Sequence, residues 1–244
     1  MNDNAVMLTQ AERSRVAVNL RPLDAATMLI LDRSGSKPRV LMGKRHLGHK
    51  FMPGKFVFPG GRIDPTDRRM AATGVLSQIC EDRLIARSPR SSPGKARALA
   101  LAAIRETFEE TGLAFGSTEF GAPESPPPGS WSEFAGQGVF PDLGALTFVA
   151  RAVTPPRRPK RFDTRFFAIE HDAVAAKVEG VIGPDSELIE LVWVDFDEAM
   201  QLDLPTITKA ILKEVDARLE AGFGRHLPVP YFWEKNGSFV REEL

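Results

Sequence analysis

This chain of 244 residues has one cysteine, a formal net charge of zero and no long apolar run. Its single cysteine, Cys80, excludes an intrachain disulfide, and we expect it to be a buried or half-buried apolar residue. The 32 basic residues are balanced by 32 acidic ones, which argues against a general nucleic-acid binder that neutralises phosphates. No stretch approaches the roughly 18 uninterrupted apolar residues of a membrane-spanning helix, so no membrane association is expected.

The rest of the composition is typical of a globular protein. Hydrophobic residues make up 43% and charged residues 26%, without the bias of a disordered chain. The length is sufficient to bury a sizeable core, and we expect one domain over residues 1–244. The N-terminus has neither the basic region nor the apolar run of a secretory signal, and the C-terminal Arg-Glu-Glu-Leu is not a peroxisomal address. A cytoplasmic location is therefore predicted.

An acidic cluster marks the segment Arg-Glu-Thr-Phe-Glu-Glu-Thr-Gly at residues 105–112. On an α-helix, Glu106, Glu109 and Glu110 fall within an arc of roughly 100°. Apolar residues recur at spacings of three and four on another face, so a core can anchor the helix while the acidic face stays open. Repulsion between the carboxylates would be offset by water and counterions, or by a hard divalent cation that takes oxygen ligands. The cluster is either a solvated helix face or part of a metal site.

A glycine turn, Phe58-Pro59-Gly60-Gly61, lies upstream of the acidic cluster. The alternating residues 55–58 before it predict a strand that runs into the turn. Paired glycines allow positive φ and let the backbone approach a ligand closely. A carbonyl or amide group of the turn could therefore face a cation or a phosphate.

The glycine turn and the acidic cluster together resemble the signature of the Nudix hydrolases. That signature runs Gly, five residues, Glu, seven residues, then Arg-Glu-apolar-x-Glu-Glu-x-Gly-apolar. Two positions depart from it: Asp67 stands where the first Glu is expected, and Thr107 occupies a usually apolar place. Asp67 could still accept a hydrogen bond from the signature arginine. The residues that match the signature are Gly61, Arg105, Glu106, Glu109, Glu110, Gly112 and Leu113.

An insertion separates the two halves of the signature, because more than seven residues lie between Asp67 and Arg105. Residues 70–87 are predicted to form an extra helix, and a Ser/Pro-rich loop over 88–93 leads into the acidic helix. Ser92 is the predicted N-cap of that helix and Pro93 its first residue. The insertion, at about residues 68–92, is either a surface decoration or an element of substrate selection. The apolar positions of the extra helix would be Met70, Val75, Leu76, Ile79 and Leu84.

A split signature of this kind resembles the Nudix branch typified by the peroxisomal coenzyme A diphosphatases. The resemblance implies an α/β fold, namely an α/β/α sandwich with a mixed sheet and a helical insertion within the signature. The alternation of strands and helices along the chain is consistent with this fold class. Predicted strands cover 25–32, 39–45, 55–58, 145–153, 161–169 and 188–194, and further predicted helices cover 131–135, 197–202 and 206–220.

The resemblance also implies a set of catalytic and metal-binding residues. One or more Mg²⁺ or Mn²⁺ ions would neutralise a diphosphate and lower the pKa of a bound water. Their ligands would be Glu106, Glu109 and Glu110, with the backbone carbonyl near Gly61. Arg105 would lie beside this set and pair with a carboxylate, so that the loop and the helix stay in register. A surface pair between Arg105 and Glu109 is the alternative.

The general base is open between several acidic residues. In the family it is a signature Glu or a later acidic residue, and Glu187 and Glu190 are the later candidates here. Both lie at the start of the predicted strand 188–194. Either could instead be an ordinary polar strand position.

Basic residues outside the signature are candidates for substrate binding. Residues 41–61 keep the spacing of a motif associated with coenzyme A diphosphatases, with Arg45 matching and Lys50 in place of an arginine. Lysine keeps the charge of arginine but loses the bidentate fork that suits phosphate. Arg158 and Arg161, in a Pro-rich basic run that resembles another stretch of the same branch, could contact substrate phosphates or belong to a solvated loop.

The predicted function is metal-dependent hydrolysis of a nucleoside diphosphate linked to another moiety. Coenzyme A or its acyl esters are the best single guess, and ADP-ribose, nucleotide sugars and NADH-type dinucleotides are the alternatives. The expected partner is a small-molecule nucleotide rather than a nucleic acid or a membrane, and the chain could assemble as a homodimer. A Nudix-fold binding or regulatory module that has lost turnover is the alternative class. The intact Glu106, Glu109 and Glu110 argue against it.

Overall fold

A large mixed β-sheet organises the fold, which the computed structural model describes for residues 2–11, 17–49, 52–88 and 91–244. The strands are β1 (Leu23–Asp32), β2 (Arg39–Arg45), β3 (Phe56–Val57), β4 (Gly60–Arg62), β5 (Leu113–Phe115), β6 (Thr147–Val153), β7 (Phe162–Glu170), β8 (Val174–Lys177), β9 (Leu188–Asp195), β10 (Pro230–Lys235) and β11 (Ser238–Glu243). The helices are α1 (Asp3–Gln10), α2 (Gln78–Ile85), α3 (Pro93–Thr111), α4 (Ser130–Ala135), α5 (Phe196–Gln201) and α6 (Thr206–Glu220), with a 3-10 turn at His171–Ala173.

The main sheet runs in the order β11-β10-β6-β7-β1-β2-β3, with β4 paired to β1 and β9 paired to β2. The β1–β7 and β10–β6 pairs are parallel, whereas the other pairs are antiparallel. A separate antiparallel ladder joins β5 to β8. The predicted mixed sheet is therefore confirmed.

Two apolar cores lie on opposite faces of this sheet. Successive side chains of a strand point to opposite faces, and β1 supplies both cores: Met28 packs in one and Leu29 in the other. Helix α3 covers the first face, and helices α1 and α6 contribute to the second core. This layering confirms the predicted α/β/α sandwich. Within the described residues, no helix is long and apolar enough to cross a membrane.

Helix α3 has the N-cap that its sequence predicts. The Ser92 hydroxyl accepts the Lys95 backbone N–H at 3.2 Å, and Pro93 is the first helical residue. Gly112 ends the helix with a φ of 75°. Thr107, the polar residue at a usually apolar signature position, is fully buried and donates its hydroxyl to a carbonyl one turn earlier, at 2.7 Å. Its polarity is thus satisfied within the helix.

The extra helix is shorter than predicted. Only residues 78–85 of the predicted 70–87 are helical, as α2. Gly74, with a φ of 60°, interrupts the helical geometry, and Ser77 caps α2 by accepting the Cys80 N–H at 3.3 Å. Positions 89 and 90 of the Ser/Pro-rich loop lie outside the described residues.

The apolar positions of the insertion divide accordingly. Met70, Leu76 and Leu84 are buried as predicted, whereas Val75 is 79% exposed and Ile79 is 46% exposed. The prediction for Val75 and Ile79 is wrong because residue 75 precedes the helix and the short helix turns residue 79 outward. The single cysteine lies buried on α2, as expected. Burial raises the pKa of this thiol to about 11.

Candidate active site

The Arg105 guanidinium joins the two halves of the signature. Its Nε and Nη2 donate to the Asp67 carboxylate at 2.7 and 3.1 Å, and Nη2 also donates to the Arg62 carbonyl oxygen at 2.9 Å. Its Nη1 donates to Glu106 and to Glu109, both at 2.9 Å. Together these hydrogen bonds pair every N–H donor of the guanidinium. Arg105 therefore holds the glycine turn, the segment before the insertion and α3 in one arrangement.

Asp67 is completely buried at the centre of this network. Besides the Arg105 hydrogen bonds, it accepts the Trp131 indole N–H at 2.9 Å and the Asp64 backbone N–H at 2.7 Å. The prediction that Asp67 accepts a hydrogen bond from Arg105 is confirmed. Trp131, which α4 supplies, had no signal in the signature. It gives the shorter carboxylate a further buried donor.

Two glycines let the backbone of the turn pack closely between β1 and α3. A Cβ on Gly60 would lie 2.5 Å from the Ala26 carbonyl oxygen of β1, and a Cβ on Gly61 would collide with the Glu106 carboxylate. The Gly60 N–H donates to Glu110 at 3.1 Å. The turn therefore packs directly against two acidic side chains of the signature.

A cavity of about 460 Å³ opens beside the glycine turn, α3 and β7. The side chains of Glu106, Glu110 and Glu187 all line it. Glu109, by contrast, is exposed and is not among the described lining residues; Arg105 holds its carboxylate. The structure therefore brings two of the three signature carboxylates to the cavity and adds Glu187 from the loop before β9.

Burial raises the pKa of both signature carboxylates in the cavity. The pKa of Glu106 rises to about 7 through burial, with Arg105 opposing the rise and the negative charge of Glu109 adding to it. The pKa of Glu110 lies well above its usual range through burial, and the negative charges of Glu187 and Glu106 add to that shift. A cation in this cavity would favour the ionised form of both groups.

The two carboxylates suit a hard divalent cation that takes its remaining ligands from water and from substrate phosphates. Among the described residues, no three Asp, Glu, His or Cys side chains converge as a ready-made metal cage. Mg²⁺ commonly binds through one or two carboxylates and keeps several waters and substrate phosphate oxygens. Glu106 and Glu110 supply such a partial set. The Gly61 carbonyl and Glu109 stay predictions as further ligands.

The basic residues predicted to bind substrate are distributed over several places. Arg45 lines the cavity and forms an ion pair with Glu187 at 2.9 Å. Arg158 lines a smaller adjoining cavity. Arg161 instead donates to carbonyl oxygens of the Leu20 and Thr154 backbone, and is not among the described lining residues of either cavity. Lys50 lies outside the described residues.

The two later candidates for the general base are also separated by the structure. Glu187 lines the cavity, and its negative charge contributes to the raised pKa of Glu110. Glu190 lies on β9 opposite Lys44 and forms an ion pair with it at 3.6 Å. Glu190 is not among the described residues that line the cavity. The placement favours Glu187 over Glu190.

Several cavity residues had no assigned role in the sequence. Lys160 lines the cavity and belongs to the same basic run as Arg158 and Arg161, so the run was recognised but the residue was not. Thr164 and Phe166 of β7 lie two positions apart, and strand alternation would have placed them on one face.

Comparisons with known proteins found similarity among solved structures. No protein-family model and no curated protein matches the chain. A NUDIX hydrolase from Alicyclobacillus acidocaldarius is 28% identical, with 82% of this chain and 91% of that chain covered and a TM-score of 0.58. The NUDIX domain of Shewanella oneidensis NrtR, complexed with ADP ribose, is 14% identical, with 90% and 99% covered and a TM-score of 0.45. A MutT protein from Methanosarcina mazei Go1 is 16% identical, with 82% and 97% covered and a TM-score of 0.45.

The sheet, the split signature and the arrangement of its carboxylates resemble those of the Nudix hydrolases. The likeness to the Alicyclobacillus acidocaldarius enzyme supports the Nudix superfamily for this chain. The resemblance to the coenzyme A diphosphatase branch stays a prediction.

Removing the charge of Asp67 should destabilise the fold. An Asp67→Asn variant leaves the buried Arg105 without its bidentate partner, so we expect the free energy of unfolding to fall by about 3 kcal/mol. Urea denaturation followed by circular dichroism measures the change. Asp67→Glu, which restores the residue of the signature and keeps the charge, should lose less. Equal stability of Asp67→Asn and the parent protein would contradict the central role of this pair.

Proposed function

We propose that this protein hydrolyses the diphosphate bond of a nucleoside diphosphate linked to another moiety, with Mg²⁺ or Mn²⁺ as cofactor. The observation that carries the proposal is the composition of one cavity, in which Glu106, Glu110 and Glu187 lie together with the basic Arg45 and Lys160. Carboxylates bind hard cations, and basic side chains bind phosphate oxygens. A diphosphate requires both.

Each part of the site has a distinct task in this proposal. When bound, the divalent cation supplies charge neutralisation and a water of lowered pKa. Glu106 and Glu110 hold the cation, because both carboxylates lie against the glycine turn and a positive charge beside them favours their ionised form. Arg105 positions Glu106 through its Nη1 and does not itself line this cavity.

Glu187 is the residue that we assign as general base. It lines the cavity and reaches solvent, with a side chain that is 45% exposed, so it can pass a proton to water. Its ion pair with Arg45 at 2.9 Å fixes its orientation beside the cavity. Arg45 and Lys160 provide positive charge for the phosphates on the same side.

Coenzyme A or an acyl-coenzyme A is the substrate that we favour. The spacing around Arg45 and the basic run that contains Arg158 and Lys160 support this choice, because both resemble stretches of the coenzyme A diphosphatase branch. ADP-ribose, nucleotide sugars and NADH-type dinucleotides are the alternatives. A cytoplasmic location belongs to the same proposal.

A substrate panel tests the reaction directly. The protein is incubated with Mg²⁺ or Mn²⁺ and with coenzyme A, acetyl-coenzyme A, ADP-ribose, NADH or nucleotide sugars, and the products are identified by mass. Formation of 3′,5′-ADP and phosphopantetheine is the expected result. Cleavage of another compound alone would reassign the substrate, and absence of cleavage across the panel would favour a nucleotide-binding module without turnover.

A pair of glutamate variants compares a carboxylate that lines the cavity with an exposed neighbour. Glu110→Gln removes a buried cavity carboxylate, and we expect kcat/KM to fall by at least roughly 100-fold, because metal ligation contributes several kcal/mol to transition-state stabilisation. The folded state should not lose stability, since a neutral amide replaces a group whose ionisation burial opposes. Glu109→Gln is the matched control, exposed and one residue away, and should lose less activity. A larger loss in Glu109→Gln would reverse the ligand assignment.

Cation affinity should depend on pH around neutrality. The pKa of Glu106 is raised to about 7, so its carboxyl is protonated below that pH and cannot act as a ligand. Calorimetric titration with Mn²⁺ should therefore give weaker binding at about pH 6 than at about pH 8. Glu106→Gln should bind more weakly than the parent protein at about pH 8 and show a smaller difference between the two values, and the remaining difference belongs to Glu110, whose pKa is also raised. Equal affinity of the parent protein at the two values would contradict the role of Glu106.

A further inference from the structure

A second, smaller cavity of about 180 Å³ adjoins the cavity beside the glycine turn. The two are lined in common by Met52, Thr154, Thr164, Phe166 and Ile207, so they lie side by side. The size of the smaller part is similar to that of an engineered cavity of about 150 Å³ that accommodates benzene. It can take one small ring or a short aliphatic chain.

The chemistry of this side cavity differs from that of the main cavity. Its lining is mostly apolar and includes Leu8, Val153, Pro155 and Phe239 in addition to the shared residues. Arg158 is the one charged side chain among the described lining residues. The main cavity, in contrast, carries the carboxylates and basic groups that suit a diphosphate. A substrate that fills both would have a charged part and an apolar part.

Helix α1 is a fixed wall of the side cavity. It contributes Leu8 and contacts the neighbouring elements through two long-range hydrogen bonds. The Asn4 side chain donates to Glu214 of α6 at 2.8 Å, and the Thr9 hydroxyl accepts the Phe239 backbone N–H of β11 at 2.8 Å. Leu8 itself is buried. The apolar wall is therefore built into the fold.

We infer that the side cavity is a specificity site for an apolar aliphatic group on the non-nucleotide moiety of the substrate. The inference rests on the proposed diphosphate hydrolysis. A purine is a poorer occupant, because its ring nitrogens and amino group need polar partners, and no amide or carboxylate side chain is among the described lining residues. A bare sugar would place most of its hydroxyl groups against apolar side chains such as Leu8 and Phe239, because the polar side chains among the described lining residues are limited to three threonines and Arg158.

A series of ADP alkyl esters tests this assignment. Methyl, butyl and hexyl esters share the nucleotide and the diphosphate and differ only in aliphatic length. Burial of each methylene is worth up to roughly fourfold, so kcat/KM should rise on the order of tenfold or more from methyl to butyl. UDP esters should show the same gain with chain length. If kcat/KM depends on the nucleotide base rather than on the length of the alkyl chain, or does not rise with that length, the assignment is overturned.

Two alanine variants locate the effect. Ala11 lines the side cavity at the C-cap of α1, and Ala221 is a matched alanine at the C-cap of α6 that is not among the described lining residues. Ala11→Phe should reduce the butyl-to-methyl ratio of kcat/KM towards 1, whereas Ala221→Phe should keep the parental ratio. Equal ratios in the two variants would remove the side cavity from substrate selection.

Binding measurements keep this test separate from the test of hydrolysis. Cleavage of ADP-ribose with no dependence on alkyl length would overturn the side-cavity assignment and leave the proposed reaction standing. If no ester is cleaved, calorimetry with the methyl and hexyl esters and the Glu110→Gln variant still decides, because binding needs no turnover. Tighter binding of the hexyl ester supports the apolar site, and equal affinities overturn it.

Discussion

The buried Arg105 guanidinium is the constraint on which the site depends. A charge removed from water is tolerated only when its donors are paired, and here Asp67, Glu106, Glu109 and the Arg62 carbonyl accept all of them. The same bonds connect segments on either side of the insertion. Because loop-closure entropy grows only slowly with length, a long insertion between these segments is compatible with an intact site.

Local signals predicted the parts of the fold that local chemistry decides. The Ser92 cap and the proline after it set the start of α3, and helix α6 has the predicted bounds, residues 206–220. The fold class followed from the signature, which also pointed to Arg105 and Glu110. In each case the determining contacts are close in sequence or belong to one recognisable motif.

Long-range partners explain what the sequence did not predict. Trp131 reaches Asp67 from 64 residues away, and Ile207 joins the cavity from α6, and neither carries a motif. The exposure of Glu109 follows from the glycine turn, which approaches Glu106 and Glu110 instead. Helical periodicity alone could not distinguish these three carboxylates, since all lie within one arc of the helix.

The wall that α1 and β11 form beside the cavity has an evolutionary consequence. The carboxylates come from α3, whereas Leu8 and Phe239 come from elements far from it in sequence. Substitutions in α1 or β11 can therefore alter the smaller cavity without changing the carboxylates of α3. The carboxylates and the apolar wall are encoded in separate stretches of the chain, so either can change in sequence while the other is retained.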